Sequence, residues 1–239
     1  MKRMMRVLVV GGLVLGLAAC QTPVRPGGDG GESRAVDERL PAEAPSGVHY
    51  RVVTDASDVR VVIFPDGRLG HPHVFSGDAL AGTVVIPEAG DSARDHHGVW
   101  LDLTLDVEAL AVDDPEWRRD EGFEPEMSDR AREGTLANMR SEDVLFSEAH
   151  PAIGIRAVES VGPLWQPDLT VQVTLRGETR ELTVPVAVHE ADDGTLEVTG
   201  RFRILQTDFG IEPFSAVGGR VRVADAVMIR FRAVAEPVS

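Results

Sequence analysis

The sequence predicts an all-β fold, a closed antiparallel barrel or a sandwich of about eight strands interrupted by one helical insertion. Three observations carry this. From Val48 onward apolar residues recur at every second position, the period of a half-buried strand. Asp192-Asp193-Gly194 separates two such runs, and Asp-Gly between alternating segments is a strong hairpin signal. Residues 113–147 break the alternation, being polar and charged around one stretch of helical spacing.

Taken in order, Val59, Val61 and Ile63 alternate with Arg60 and Val62. Val99, Leu101, Leu103, Leu105 and Val107 alternate with Trp100, Asp102, Thr104 and Asp106. The pattern recurs at Val171, Val173 and Leu175, at Leu182 through Val188, and at Leu196, Val198, Phe202 and Ile204. It returns at Val221 and Val223, and at Val227 through Ala233. Pro185 marks an edge or a bulge, because proline cannot donate to a ladder. Ser128 to Arg140 reads as a helix with Ala131, Leu136 and Met139 on one side and Ser128 as its N-cap. An insertion of this kind in a strand series is expected to be a lid or a plug.

Closure removes edge strands. A barrel of eight strands is just wide enough to fill itself or to hold one small ligand. The inward positions here are Val61, Ile63, Val99, Leu101, Leu103, Val171, Val173, Val184, Val186, Val198, Phe202, Ile229 and Phe231. These are the candidate ligand-lining residues, and whatever they hold must be hydrocarbon-like.

The N-terminus gives an address. Lys2, Arg3 and Arg6 precede an apolar run from Val7 to Ala19 that ends in small residues, the pattern of a secretory signal. At about 13 residues the run is shorter than the roughly 20 that span a bilayer. Leu17-Ala18-Ala19-Cys20 resembles a bacterial lipobox, in which the cysteine is acylated (palmitate and similar chains) and becomes the new N-terminus after cleavage. With Gln21 rather than Asp after it, sorting to the outer membrane, facing the periplasm, is expected. Residues 1–19 are then the signal peptide and 20–46 the lipidated N-terminus and tether. Residues 47–239 form the barrel domain. The tether is rich in Pro, Gly and acids, without apolar period, and as a flexible coil spans roughly 28–30 Å.

Charge narrows the partners. Loss of the signal removes three basic residues and takes the net charge from −15 to −18. Nucleic acid is excluded, since its binding depends on basic groups, and anionic head groups offer nothing to such a surface. Membrane attachment therefore falls to the acyl chains on Cys20. As the lone cysteine it also leaves no thiol for a disulfide.

His71 and His73, with His96 and His97 in a later loop, are weak candidates for a metal site, since imidazole suits zinc and similar ions. Read alone they are polar loop histidines, and no metal or other cofactor is required. Asp113/Asp114 and Asp192/Asp193 read as solvated turn residues. No serine lies in a Gly-x-Ser-x-Gly elbow, so no catalytic residue is assigned.

Several motifs resemble one family. Leu175-Arg176-Gly177-Glu178-Thr179-Arg180 is similar to the "L-x-x-G-x-T-R" hairpin of the YceI-like family. Thr207-Asp208-Phe209-Gly210-Ile211 is similar to its "DFGI" signature, and Val223-Ala224-Asp225-Ala226-Val227 to its closing "V-x-D-x-V" strand. Gly134–Pro151 resembles the helix and the start of the "P-x-I" strand. The resemblance spans about residues 48–235. It implies a lipocalin-like barrel whose apolar tunnel binds polyisoprenoids such as prenyl quinones or prenyl pyrophosphates. The expected function is that of a membrane-anchored binding protein, not an enzyme. The alternatives are a structural or interaction lipoprotein with a self-filled barrel and, third, a histidine-based metal-dependent enzyme.

Overall fold

The computed structural model describes residues 44–87 and 99–238. The signal peptide, Cys20, His96 and His97 lie outside the described residues. Along the chain come β1 (Gly47–Val52), β2 (Asp58–Pro65), β3 (His73–Ser76), β4 (Leu80–Pro87), β5 (Trp100–Asp106), β6 (Ala111–Val112), α1 (Pro115–Asp120), α2 (Asp129–Arg140), β7 (Ala152–Val161), β8 (Asp168–Leu175), β9 (Glu178–Glu190), β10 (Leu196–Leu205), β11 (Ser215–Ala216) and β12 (Val221–Pro237).

Eight of these strands close an antiparallel barrel in the order β1-β4-β5-β7-β8-β9-β10-β12, and β12 returns to β1 with Val52 opposite Ala235. Closure decides for the barrel over the sandwich. β1 uses only the last residues of β12; Asp58–Pro65 of β2 continue along the same edge, and β3 and β6 pair outward from there. After short breaks β1 thus runs on into β2 and β5 into β6, while β3 leads into β4.

The registers define two ends. Gly47 lies opposite Pro87, Tyr50 opposite Pro237 and Leu196 opposite Glu190, so these strand termini share one rim. At the other end α2 lays Met139 into a cluster with Val107, Leu110, Val112 and Phe75, and Leu136 and Leu145 pack against it. The Ser128 hydroxyl caps this helix by accepting from the Ala131 amide. The insertion is thus a plug.

Local rules explain the rest. Arg176 and Gly177 both take positive φ, 55° and 80°, as a two-residue hairpin with primed turn geometry needs. The Asp192-Asp193-Gly194 hairpin forms with a longer loop, in which the Asp193 carboxylate accepts from the Thr195 amide at 2.9 Å. Pro185 lies at a local edge, on the side of β9 that has no ladder partner. It marks a changeover: residues 178–185 of β9 pair with β8 alone, and the ladder to β10 begins at Val186. The missing proline N–H costs no bond there.

Candidate functional site

Above the plug the barrel encloses a cavity of about 470 Å³, within the range of ligand pockets. All eight barrel strands line it, almost wholly with aliphatic and aromatic side chains. Of the candidate lining set, Val99, Leu101, Leu103, Val171, Val173, Val184, Val186, Val198, Phe202, Ile229 and Phe231 face it. Val61 and Ile63 do not. They pack against the cluster holding Phe75, Val112 and Met139, in the filled half of the barrel. The upper half is not filled by the protein's own side chains.

The cavity opens at the rim. Leu164 and Trp165, in the loop between β7 and β8, line it while remaining 60% and 65% exposed. That loop is pinned across the rim: the Val186 amide donates to the Pro167 carbonyl at 3.0 Å and the Val188 amide to the Trp165 carbonyl at 2.9 Å. Besides Trp165, the polar side chains lining the cavity are Tyr50, Ser160 and Glu190. None of the three stood out in the sequence. Ser160 faces inward through a register shift between Ala157 and Glu159, where β7 carries one unpaired residue. A bulge reverses the alternation, so Glu159 turns out to solvent and Ser160 turns in.

A family model described as the YceI-like domain matches residues 50–235. The chain belongs to the YceI-like family. Among solved structures, Burkholderia cenocepacia BcnA is similar to it with a TM-score of 0.56 at 17% identity, over 77% of this chain and 98% of that one. A polyisoprenoid binding domain from Saccharophagus degradans is similar with a TM-score of 0.53 at 13% identity, over 79% of this chain and 98% of that one. At these identities the likeness is one of fold. No curated protein matches the sequence.

The YceI-like motifs are structural joints. In the "DFGI" segment Phe209 and Ile211 are both buried, at 1% and 3% exposure, and Gly210 between them takes φ 69°. Asp225 of the closing strand accepts from the Thr207 amide at 2.9 Å and from its hydroxyl at 2.7 Å, tying two of the motifs together. Beneath the hairpin, His150 packs against Gly177.

The His71/His73 region holds a different assembly. Asp113 is not a solvated turn residue, as expected, but has no exposed surface. Its carboxylate accepts from His73 Nδ1 at 2.6 Å, from the Val74 amide at 3.0 Å and from Arg118 at 2.8 Å. Burial pushes the Asp113 carboxyl up, but these donors outweigh it and hold it below the usual carboxylate range. Arg118, 2% exposed, also donates to the carbonyls of Pro72 and Glu124. The network fastens α1 to β3 on the outside of the barrel, well away from the lumen. The His71 ring lies against that of His73, centroids 4.6 Å apart and planes tilted by 58°, and burial, followed by the neighbouring His73, lowers the His71 pKa. Among the described residues no three His, Cys, Asp or Glu side chains converge as a metal site would require.

Proposed function

We propose that this YceI-like barrel is a binding protein that holds one long apolar molecule of the polyisoprenoid class, such as a prenyl quinone, in its upper lumen. The observation that carries this is the 470 Å³ cavity, apolar in its depth and open at one rim. The binding named for the Saccharophagus degradans domain, which shares the fold, supports the same ligand class. Burial supplies the driving force: at about 25 cal/mol per Å², roughly 300 Å² of hydrocarbon contributes about 7 kcal/mol.

Anchoring is part of the proposal. Leu17-Ala18-Ala19-Cys20 supports acylation of Cys20 and residence at the outer membrane, facing the periplasm. β1 begins at the open rim, so the preceding segment joins the barrel on the side through which a membrane lipid would enter.

Native mass spectrometry with lipid extraction tests the ligand. A co-purifying prenyl species is expected, and a barrel that is empty and takes up no added prenyl lipid would end the reading. Labelled palmitate should be incorporated into wild type and not into Cys20→Ser. Labelling of that variant would refute acylation at Cys20.

A further inference from the structure

We propose that Tyr50, Ser160 and Glu190 form a head-group subsite at the rim, selecting a lipid whose polar end is an uncharged hydroxyl, as in a prenyl alcohol or quinol, and rejecting a diphosphate. The subsite rests on the reading of the lumen as a lipid-chain site.

The polar groups lie near strand ends. Tyr50 sits in β1 opposite Val84, Ser160 is the penultimate residue of β7, and Glu190 is the last of β9. Below them the wall is hydrocarbon. Tyr50 is 6% exposed and Ser160 4%, yet among the described residues neither hydroxyl has a hydrogen-bond partner. The buried polar atoms left without a partner among the described residues are Arg140 Nε and Arg230 Nε, so the two hydroxyls are not sealed in but reach the cavity. There each can bond water in the empty lumen and a ligand's polar end in the filled one.

Charge fixes the kind of head. No Lys, Arg or His lines the cavity among the described residues, whereas phosphate recognition relies on such cations. Glu190 instead places a carboxylate at the opening. A diphosphate entering here meets the Glu190 carboxylate and, among the described lining residues, no cation. A hydroxyl head meets one acceptor-only group, Glu190, and two hydroxyls that can both donate and accept. Burial, with a smaller push from Glu190, raises the Tyr50 pKa above the ordinary tyrosine value, which keeps its proton in place as a donor.

The test uses the full chain and three probes sharing one tail: geranylgeraniol, geranylgeranyl diphosphate and the head-free hydrocarbon. Each competes against a fluorescent fatty-acid probe. The alcohol should bind at least tenfold more tightly than the diphosphate. Tyr50→Phe and Ser160→Ala should each cut the alcohol-to-hydrocarbon affinity ratio about three- to tenfold, the value of one hydrogen bond. Glu190→Gln should narrow the alcohol-to-diphosphate gap. Equal affinity for alcohol and diphosphate, or an unmoved alcohol-to-hydrocarbon ratio in the Tyr50→Phe/Ser160→Ala double variant, would overturn the subsite while leaving chain binding intact. Failure of all three probes to bind would overturn the lumen reading itself.

Discussion

Asp113→Ala should cost this barrel more than any other single truncation of a charged side chain. Arg118, 2% exposed, loses its carboxylate partner but keeps the carbonyls of Pro72 and Glu124, so the broken ion pair costs about 3 kcal/mol, the low end for a buried pair. The Val74 amide, on a residue with no exposed surface, loses its acceptor, adding about 1 kcal/mol. Asp113 also holds φ 53°, where alanine costs about 1 kcal/mol more. The total of about 5 kcal/mol corresponds to a fall in Tm of about 10–20 °C for a domain of this size. Urea unfolding followed by circular dichroism reads it. The pH dependence has a definite sign. The folded carboxyl lies below its ordinary value, so its contribution is fully present above the carboxylate range and is lost as pH falls through the folded value. The gap between wild type and Asp113→Asn should therefore be full at neutral pH, begin to shrink near the unfolded carboxylate value of about 4, and close only as pH falls through the lower folded value. A stability of Asp113→Ala within about 0.5 kcal/mol of wild type would refute the claim that this network holds the insertion in place.

Two further outcomes follow from the same geometry. Ala233→Trp, on a wall that faces open lumen, should lower the longest prenyl chain retained, with little loss of stability because the ring enters empty space; displacement by a series of prenyl alcohols measures it. Gly210→Ala should cost about 1–2 kcal/mol in urea unfolding, the price of φ 69° for a side chain that meets nothing within 4 Å.

Alternation made the walls legible because its period of two says which face a residue is on. It does not say how high along the barrel axis that residue sits. Val61 and Ile63 face inward like the rest, but at the level filled by Phe75 and Met139. β1, β4 and β7 were not read from alternation. β4 runs Val84-Val85-Ile86 without a break, and Ala81-Gly82 and Gly154 dilute the pattern in β4 and β7. Ser160 was hidden by a bulge that flips the alternation. Asp113 and Arg118 look like any charges in an acidic loop; their burial comes from β3 and α1 meeting across a long stretch of sequence, which local pattern cannot register.

The floor of the cavity sets how much of a chain the barrel can take, and it is built differently from the walls. Val59 and Leu80 face the lumen and also belong to the cluster around Phe75, Leu105 and Met139, so this cluster is the cavity's lower boundary. Phe75, 3% exposed, is the largest side chain in it that does not line the lumen. Phe75→Ala should therefore act in two directions at once. It should destabilise the fold by about 3–5 kcal/mol, as buried phenylalanine truncations do. It should also deepen the lumen and shift retention toward longer prenyl chains, the opposite of Ala233→Trp. Destabilisation without any change in chain-length preference would show that Phe75 packs beside the cavity and that the floor lies elsewhere.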